Sequence, residues 1–311
     1  MNPAFSVILL TTLIGAAQGL VVALAVTVLV GAHPGTALLS DGLIVSSLLL
    51  LAGLGASFFH LGRPERAWRA ASMWRTSWLS REVVVLPAFI GTIGLWLLAL
   101  RQGAPDVLTA RWLPVAAISL AAVLWFCTAM IYACLRFVEE WSHPLTLISF
   151  AMTGLSSGLL LATALGSIAR VETFVAPVGV AAIAATLVAW VVRIAALRRN
   201  AALRHRSTVQ SATGIEAPQL RQMSMGFTGG SFNTREFFHR ATQLGVRRVR
   251  LALHLFGFLF PMLAAIAALF GAGSCLWVAA VLLQIPGLIA DRWLFFAQAR
   301  HPQNLYYQVV S

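Results

Sequence analysis

Eight long apolar stretches dominate the sequence. They lie at residues 4–30, 38–60, 83–100, 114–136, 144–166, 175–196, 251–270 and 273–296. Most of them are close to the roughly 20 residues that a helix needs to cross a bilayer. None alternates between apolar and polar residues with a period of two, as the strands of a transmembrane barrel do. We therefore predict an all-α integral membrane protein with eight transmembrane helices, forming a single membrane domain over residues 1–311.

All 22 basic residues are arginine, and their distribution predicts the orientation of the chain. Nineteen lie at one end of the predicted helices, namely Arg63, Arg66, Arg69, Arg75, Arg81, Arg136, the eleven from Arg193 to Arg250, Arg292 and Arg300. The opposite end has only Arg101, Arg111 and Arg170. By the positive-inside rule we expect the first end, called here the arginine-rich face, and both termini to lie in the cytoplasm (N-in/C-in).

The connection between helices six and seven, residues 197–250, lies on this arginine-rich face. The sequence leaves open whether the basic charge only sets the topology or also binds a partner or anionic lipid. Arginines at helix ends do not indicate nucleic acid. Phe227, Phe232, Phe237 and Phe238 are unusual in a solvated linker. They predict that part of this loop packs on the helix ends and contacts a partner, the alternative being a disordered linker.

The histidines and cysteines bear on whether the chain holds a metal cofactor. A haem between two helices needs a pair of histidines at matching depth, and only His60 and His254 lie near predicted spans. We expect no haem, and we expect His254 to form a hydrogen bond inside the bundle, because a polar group in lipid needs a partner. The three cysteines are isolated and show no metal-binding spacing. No metal site is predicted in this chain.

The stretch from His60 to Glu82 carries the strongest functional pattern. Gly62 and Pro64 interrupt the second helix just after His60, so the chain is expected to turn within the membrane interface. Three tryptophans, the last of them Trp78, then alternate with arginines, as is typical of a segment lying at headgroup level. His60 and Glu82 are thus expected at adjoining helix ends on one membrane face.

Two ionisable side chains in this position suit a quinone, which takes up two protons with two electrons. His60 can serve one carbonyl oxygen, and a partly desolvated Glu82 can relay a proton. Arg66 or Arg81 is a candidate for holding Glu82 ionised until the quinone arrives. The alternative interpretation is structural: the arginines bind lipid phosphates, and His60 and Glu82 pair with neighbouring arginines.

The strings His60-Leu-Gly-x-Pro-x-Arg66-Ala and Leu79-Ser-x-Glu82 resemble the signature of the DmsC-type membrane-anchor subunits of molybdopterin oxidoreductases. The resemblance implies an eight-helix protein without haem that exchanges electrons with ubiquinone or menaquinone. It implies that His60, Glu82 and Arg66 belong to the quinone site. It also implies two partners, a ferredoxin-like iron–sulfur subunit and a molybdopterin catalytic subunit, which hold the metal cofactors.

Within this family, the arginine-rich face points to one branch. The dimethyl sulfoxide reductases carry their partner subunits on the outer face of the membrane, whereas here the corresponding face is the basic one. The stretches 224–239 and 292–307 also resemble the SoeC-type anchor of cytoplasmic sulfite:quinone oxidoreductases. The resemblance therefore implies a subunit of the bacterial inner membrane that passes electrons from sulfite oxidation to quinone, without a molybdenum site of its own.

Two other functions are alternatives to this one. A quinol-oxidising anchor of a terminal reductase uses the same residues with electrons flowing the other way. A non-redox transporter is disfavoured, because transporters carry charged or broken helices near the membrane midplane. Here the charges are expected only at the ends of the spans, with Asp291 and Arg292 paired at the end of the eighth.

Overall fold

The fold is a bundle of long helices. The computed structural model describes residues 1–32, 34–224, 237–239 and 241–306. Eight helices in this part are long and apolar enough to cross a membrane: α1 Phe5–Leu29, α2 Thr36–Phe58, α3 Trp78–Arg101, α4 Leu108–Ala133, α5 Pro144–Ile168, α6 Glu172–Ala201, α7 Gln243–Leu269 and α8 Cys275–Ala297. The described residues contain no β-strand. The predicted all-α class and the eight membrane-spanning helices are confirmed.

Several helices extend beyond the apolar stretches that predict them. Helix α3 begins at Trp78 rather than at residue 83, because the Ser77 hydroxyl caps it by accepting from the Ser80 N–H at 3.4 Å. Helix α7 begins at Gln243 rather than at residue 251, with Thr242 as its cap. Hydropathy marks the part of a helix that suits lipid, whereas capping determines where the helix starts.

Helices α1 and α5 form the centre of the bundle and approach each other closely. A Cβ atom added to Gly19 would lie 2.1 Å from the carbonyl oxygen of Gly154, and one added to Gly158 would lie 2.1 Å from the carbonyl carbon of Gly19. Small residues permit this distance, as they commonly do between membrane helices. Helix α1 also packs on α2, α4 and α8, and α5 packs on α6 and α8.

Buried amides link other helices. The Gln18 side chain of α1 donates to the backbone oxygen of Ala121 in α4 at 3.0 Å. The Gln284 side chain of α8 donates to the backbone oxygen of Gly257 at 3.3 Å. Gly257 lies in a π-helical turn of α7, Leu255–Leu259, and such a turn leaves backbone carbonyls without their usual helical partners. These bonds satisfy polar groups that have no access to water.

A buried ion pair joins α6 to α8. Arg193 Nε lies 2.5 Å from Asp291 Oδ1, and Arg193 Nη2 donates to the Asp291 backbone oxygen at 3.1 Å. The contact between the side chains is ionic rather than a hydrogen bond, because the described structure gives the Asp291 carboxylate no donor. Both side chains are almost completely buried. The charged pair sits inside the helices, about two turns from their ends.

The predicted pairing of Asp291 with Arg292 is wrong. Consecutive residues of a helix point in different directions, so Asp291 faces Arg193 while the Arg292 guanidinium lies 3.8 Å from the centre of the Phe150 ring. The expectation that charges occur only at the ends of the spans is wrong for the same reason. Sequence position did not reveal that α6 and α8 present opposite charges to each other.

Part of the connection between α6 and α7 packs on the C-terminal segment. Phe238 is buried, and the Phe237 ring stacks on His301 with centroids 4.1 Å apart. The Asn304 amide donates to the Phe237 backbone oxygen at 3.1 Å. For these two phenylalanines the predicted packing of the loop is confirmed. Phe227 and Phe232 lie outside the described residues, as does most of the stretch 224–239.

Candidate functional site

The connection from α2 to α3 runs along the arginine-rich face. Helix α2 ends at Phe58, and a 3-10 helix occupies Pro64–Met73 before α3 begins at Trp78. Proline at the start of the 3-10 helix is favourable, because that position needs no backbone N–H. No residue of this 3-10 helix is buried. The segment therefore lies on the surface between two helix ends, as the Gly-x-Pro interruption predicts.

Arg81 fastens the end of this connection to α3. Its Nε donates to the backbone oxygen of Trp74 at 2.9 Å, and its Nη2 donates to that of Arg75 at 2.8 Å. The guanidinium also lies 4.0 Å from the centre of the Trp78 ring, a cation–π distance. The side chain thus stabilises the turn that leads into α3, and most of its donors are directed to the connection.

Glu82 lies one turn into α3 and faces the bundle interior. Its side chain is buried, and its Oε1 accepts a hydrogen bond from the hydroxyl of Thr128 in α4. In the described structure neither Arg66 nor Arg81 is within ion-pair distance of Glu82. Arg66 Nε instead lies 3.8 Å from Glu65 Oε1, in a largely exposed pair. A carboxyl group without a neighbouring cation is suited to carrying a proton.

His60 and Arg66 are exposed on the connection. His60 is two residues beyond the end of α2, at the same membrane face as the start of α3. Desolvation lowers the pKa of the His60 imidazole below its ordinary value, so the neutral form predominates at neutral pH. The structure therefore brings Trp78, Arg81 and Glu82 together on the first turns of α3, and it places His60 and Arg66 on the adjoining connection.

An aromatic pair borders the α3–α4 seam on its outer side. Trp78 and Phe126 meet edge to face, with ring centroids 5.2 Å apart and planes at 82°. Phe126 is 41% exposed, so this side of the seam faces the surrounding membrane in a spanning helix. An apolar ring arriving from lipid meets this aromatic pair beside the helix that carries Glu82.

A separate cavity of about 670 Å³ opens on the same arginine-rich face. It lies among the ends of α4, α6, α7 and α8, and its polar lining includes Glu139, Glu140, His205, His239 and Arg250. His205 Nε2 is 3.6 Å from Glu140 Oε1. None of the five predicted site residues lines this cavity. Its residues come from four distant parts of the chain, so no local sequence pattern signals it.

The described residues contain no group of three or more histidine, cysteine or acidic side chains arranged to hold a metal ion. His254, the second histidine near a predicted span, accepts a hydrogen bond at Nδ1 from Trp190 Nε1 at 3.0 Å. The predicted hydrogen bond of His254 inside the bundle is confirmed.

Comparison with known proteins identifies the family. The profile of the DMSO reductase anchor subunit (DmsC) family matches residues 1–229. The C subunit of the sulfite dehydrogenase of Allochromatium vinosum is 47% identical over 326 aligned positions that cover the full length of both proteins. The chain belongs to the DmsC family. The family expected from the motifs around His60 and Glu82 is thus confirmed, and the protein is a membrane-anchor subunit.

Two Escherichia coli K12 proteins are similar to part of this anchor subunit. YnfH, described as a chain of an anaerobic dimethyl sulfoxide reductase, is 32% identical over 143 residues, which are 45% of this anchor and 50% of YnfH. The corresponding chain of a second anaerobic dimethyl sulfoxide reductase is 33% identical over 129 residues, which are 40% of this anchor and 44% of that protein. The similarity to the sulfite dehydrogenase subunit is therefore higher and extends over the whole anchor.

Sequence reasoning missed Thr128 as a member of the site. Thr128 lies in an apolar helix 46 positions from Glu82, and a single threonine in such a helix carries no functional signal. The contact depends on how far α3 and α4 are shifted along each other. Only the packed structure of the anchor supplies that information.

Proposed function

We propose that this anchor subunit passes electrons from the oxidation of sulfite to membrane quinone. The observation that supports the proposal is the full-length 47% identity to a subunit of a sulfite dehydrogenase. In the proposed complex a molybdopterin subunit oxidises sulfite, and a ferredoxin-like iron–sulfur subunit carries the electrons to the membrane. The anchor contributes the attachment to the bilayer and the quinone site, and the redox metals belong to its partners.

The proposed quinone site lies between His60 and Glu82. Reduction of the quinone to quinol consumes two electrons from the iron–sulfur subunit and two protons. The His60 imidazole binds one carbonyl oxygen through its N–H, and the Glu82 carboxyl gives a proton to the other oxygen. Glu82 then regains a proton from the aqueous phase at the arginine-rich face, one helical turn away.

Three further side chains prepare this site. Trp78, together with Phe126, offers aromatic surface to the quinone ring beside α3. Arg81 holds the connection against α3 through its bonds to two backbone oxygens. Arg66, exposed between the helix ends, attracts the negative charge that develops on a quinone oxygen as electrons arrive.

The proposed location of the partners is the cytoplasmic side of a bacterial inner membrane. The support is the excess of arginine on the face that carries His60 and Glu82. Electrons and protons then enter the quinone from the same compartment. With this arrangement the reaction moves no net charge across the membrane.

The site is tested by replacing Glu82 with glutamine and, separately, His60 with alanine in the assembled complex. Loss of a positioned proton donor is expected to lower sulfite-dependent reduction of a quinone analogue by about 100-fold or more. Sulfite oxidation with a soluble artificial electron acceptor is expected to stay at the level of the unmodified complex, because that reaction bypasses the anchor.

A matched control is Glu172→Gln, which changes an exposed carboxyl at the opposite end of the bundle. It is expected to leave both activities unchanged. Full quinone reduction by both the Glu82 and the His60 variants would rule out this site.

A further inference from the structure

The hydroxyl of Thr128 behaves differently from other hydroxyls inside the helices. Thr27 donates to the backbone oxygen of Ala23 and Thr163 donates to that of Leu159, each at 2.8 Å within its own helix. This intrahelical bond is the usual arrangement for a threonine in a helix interior. Thr128 instead donates to the Glu82 carboxyl of the neighbouring helix. Its side chain is therefore committed to an acidic group rather than to its own backbone.

We infer that Thr128 is a positioning residue that holds the Glu82 carboxyl in its proton-transfer orientation. The inference rests on the proposed function, in which Glu82 supplies a proton to the quinone. A glutamate side chain has several rotatable bonds, whereas the β-branched threonine is nearly fixed in a helix. A hydrogen bond from the rigid partner thus restricts the flexible one, and it satisfies a carboxyl oxygen that has little contact with water.

The Thr128 hydroxyl also affects the proton equilibrium of the site. A hydroxyl that donates to a carboxylate stabilises its ionised form. If the donor is removed, the carboxyl keeps its proton to a higher pH. The falling limb of quinone reduction, on the alkaline side of the pH profile, then moves upward in pH. A residue that only fills space leaves this limb where it is.

The decisive variant is Thr128→Val, which nearly keeps the shape of the side chain and removes the hydroxyl. We expect quinone reduction to fall by about tenfold and the alkaline limb of its pH profile to move to higher pH. Thr128→Ser keeps a donor and is expected to restore most of the rate and the original limb. Sulfite oxidation with a soluble acceptor is measured in parallel and is expected to stay constant.

Thr163→Val is the matched control, because Thr163 is fully buried in α5 and its hydroxyl bonds only within its own helix. It makes the same chemical change in the same bundle and is expected to leave the pH profile unchanged. If the valine variant at Thr128 does not accumulate, Thr128→Cys provides a second test. Its thiol is a weak donor, so the expected rate lies between those of the valine and serine variants.

The outcomes separate this inference from the proposed function. If Thr128→Val matches the unmodified complex while Glu82→Gln is inactive, Thr128 has no positioning role and the quinone site stands. If Thr128→Val is slow but its pH limb is unmoved and serine restores nothing, the role of Thr128 is structural and the inference fails. If Glu82→Gln keeps full quinone reduction, the proposed site itself fails.

Discussion

A charged side chain inside a membrane-spanning helix needs a partner, and Arg193 and Asp291 supply one another. Removing one member of a buried pair leaves the other charge without compensation, which costs about 3–5 kcal/mol. We therefore expect Asp291→Ala to lower the free energy of unfolding of the anchor by that amount, measured by denaturant unfolding in detergent. Glu65→Ala, which removes the largely exposed partner of Arg66, is expected to change it by no more than about 1 kcal/mol.

A double variant completes this prediction. Replacing Arg193 with methionine and Asp291 with leucine removes both charges, and an apolar pair of similar volume is often at least as stable as a buried ion pair. The double variant is expected to recover most of the loss. Equal stability of Asp291→Ala and Glu65→Ala would contradict the importance of the buried pair.

Individual residues show what the sequence can and cannot reveal about the site. His60 and Glu82 stand in short motifs next to the ends of apolar stretches, so their common membrane face follows from the sequence. The partner of Glu82 does not, because Thr128 is 46 positions away and its approach depends on the packing of α3 on α4. The pairing of Arg193 with Asp291 likewise joins residues 98 positions apart. Local patterns predict chemistry at helix ends, and tertiary packing determines which side chains meet.

Among the helices, α1 and α5 are in closest contact, and the contact depends on glycine. A methyl group at Gly158 meets the backbone of α1 at 2.1 Å, so the helices have to separate to accept it. We expect Gly158→Ala to destabilise the anchor by about 1–3 kcal/mol, measured as a lower unfolding midpoint in detergent.

Gly91→Ala in α3 is the control for this substitution. A Cβ atom at Gly91 meets nothing within 4 Å, and alanine is the better helix former by about 1 kcal/mol. This variant is expected to be as stable as the unmodified protein or slightly more stable. If both glycine variants behave alike, the close approach of α1 and α5 does not limit stability.

At the level of helices, hydropathy predicts the number and type of elements but not their neighbours. All eight spans were predicted because each contains an apolar run of membrane-crossing length. The start of α7 at Gln243 was missed, since its first turns are polar and rich in arginine. The π-helical turn at Leu255–Leu259 leaves no composition signal. It follows from packing, as the Gln284 side chain bonds to a carbonyl within it.

For the whole molecule, two native cysteines test the orientation. Cys134 is exposed just beyond the end of α4 on the arginine-rich face, and Cys275 is exposed at the start of α8 on the opposite face. With the arginine-rich face in the cytoplasm, a membrane-impermeant maleimide is expected to label Cys275 in spheroplasts. The same reagent is expected to label Cys134 in inverted membrane vesicles.

Cys134→Ser and Cys275→Ser assign each signal to one residue, and the buried Cys127 is expected to stay unlabelled in both preparations. Labelling of Cys134 from the outside of spheroplasts would place the partner subunits on the outer face. The proposed cytoplasmic oxidation of sulfite would then be wrong.

The central position of α1 also has a consequence for biosynthesis. This helix leaves the ribosome first, yet its Gln18 amide finds its acceptor, the Ala121 carbonyl, only after α4 has been made. Its Gly19 surface gains a close partner only when α5 follows. Until then, an amide and exposed backbone face either lipid or the insertion machinery, and both are poorly accommodated by hydrocarbon. The nascent anchor therefore depends on α1 being retained beside the translocon while four more helices are synthesised.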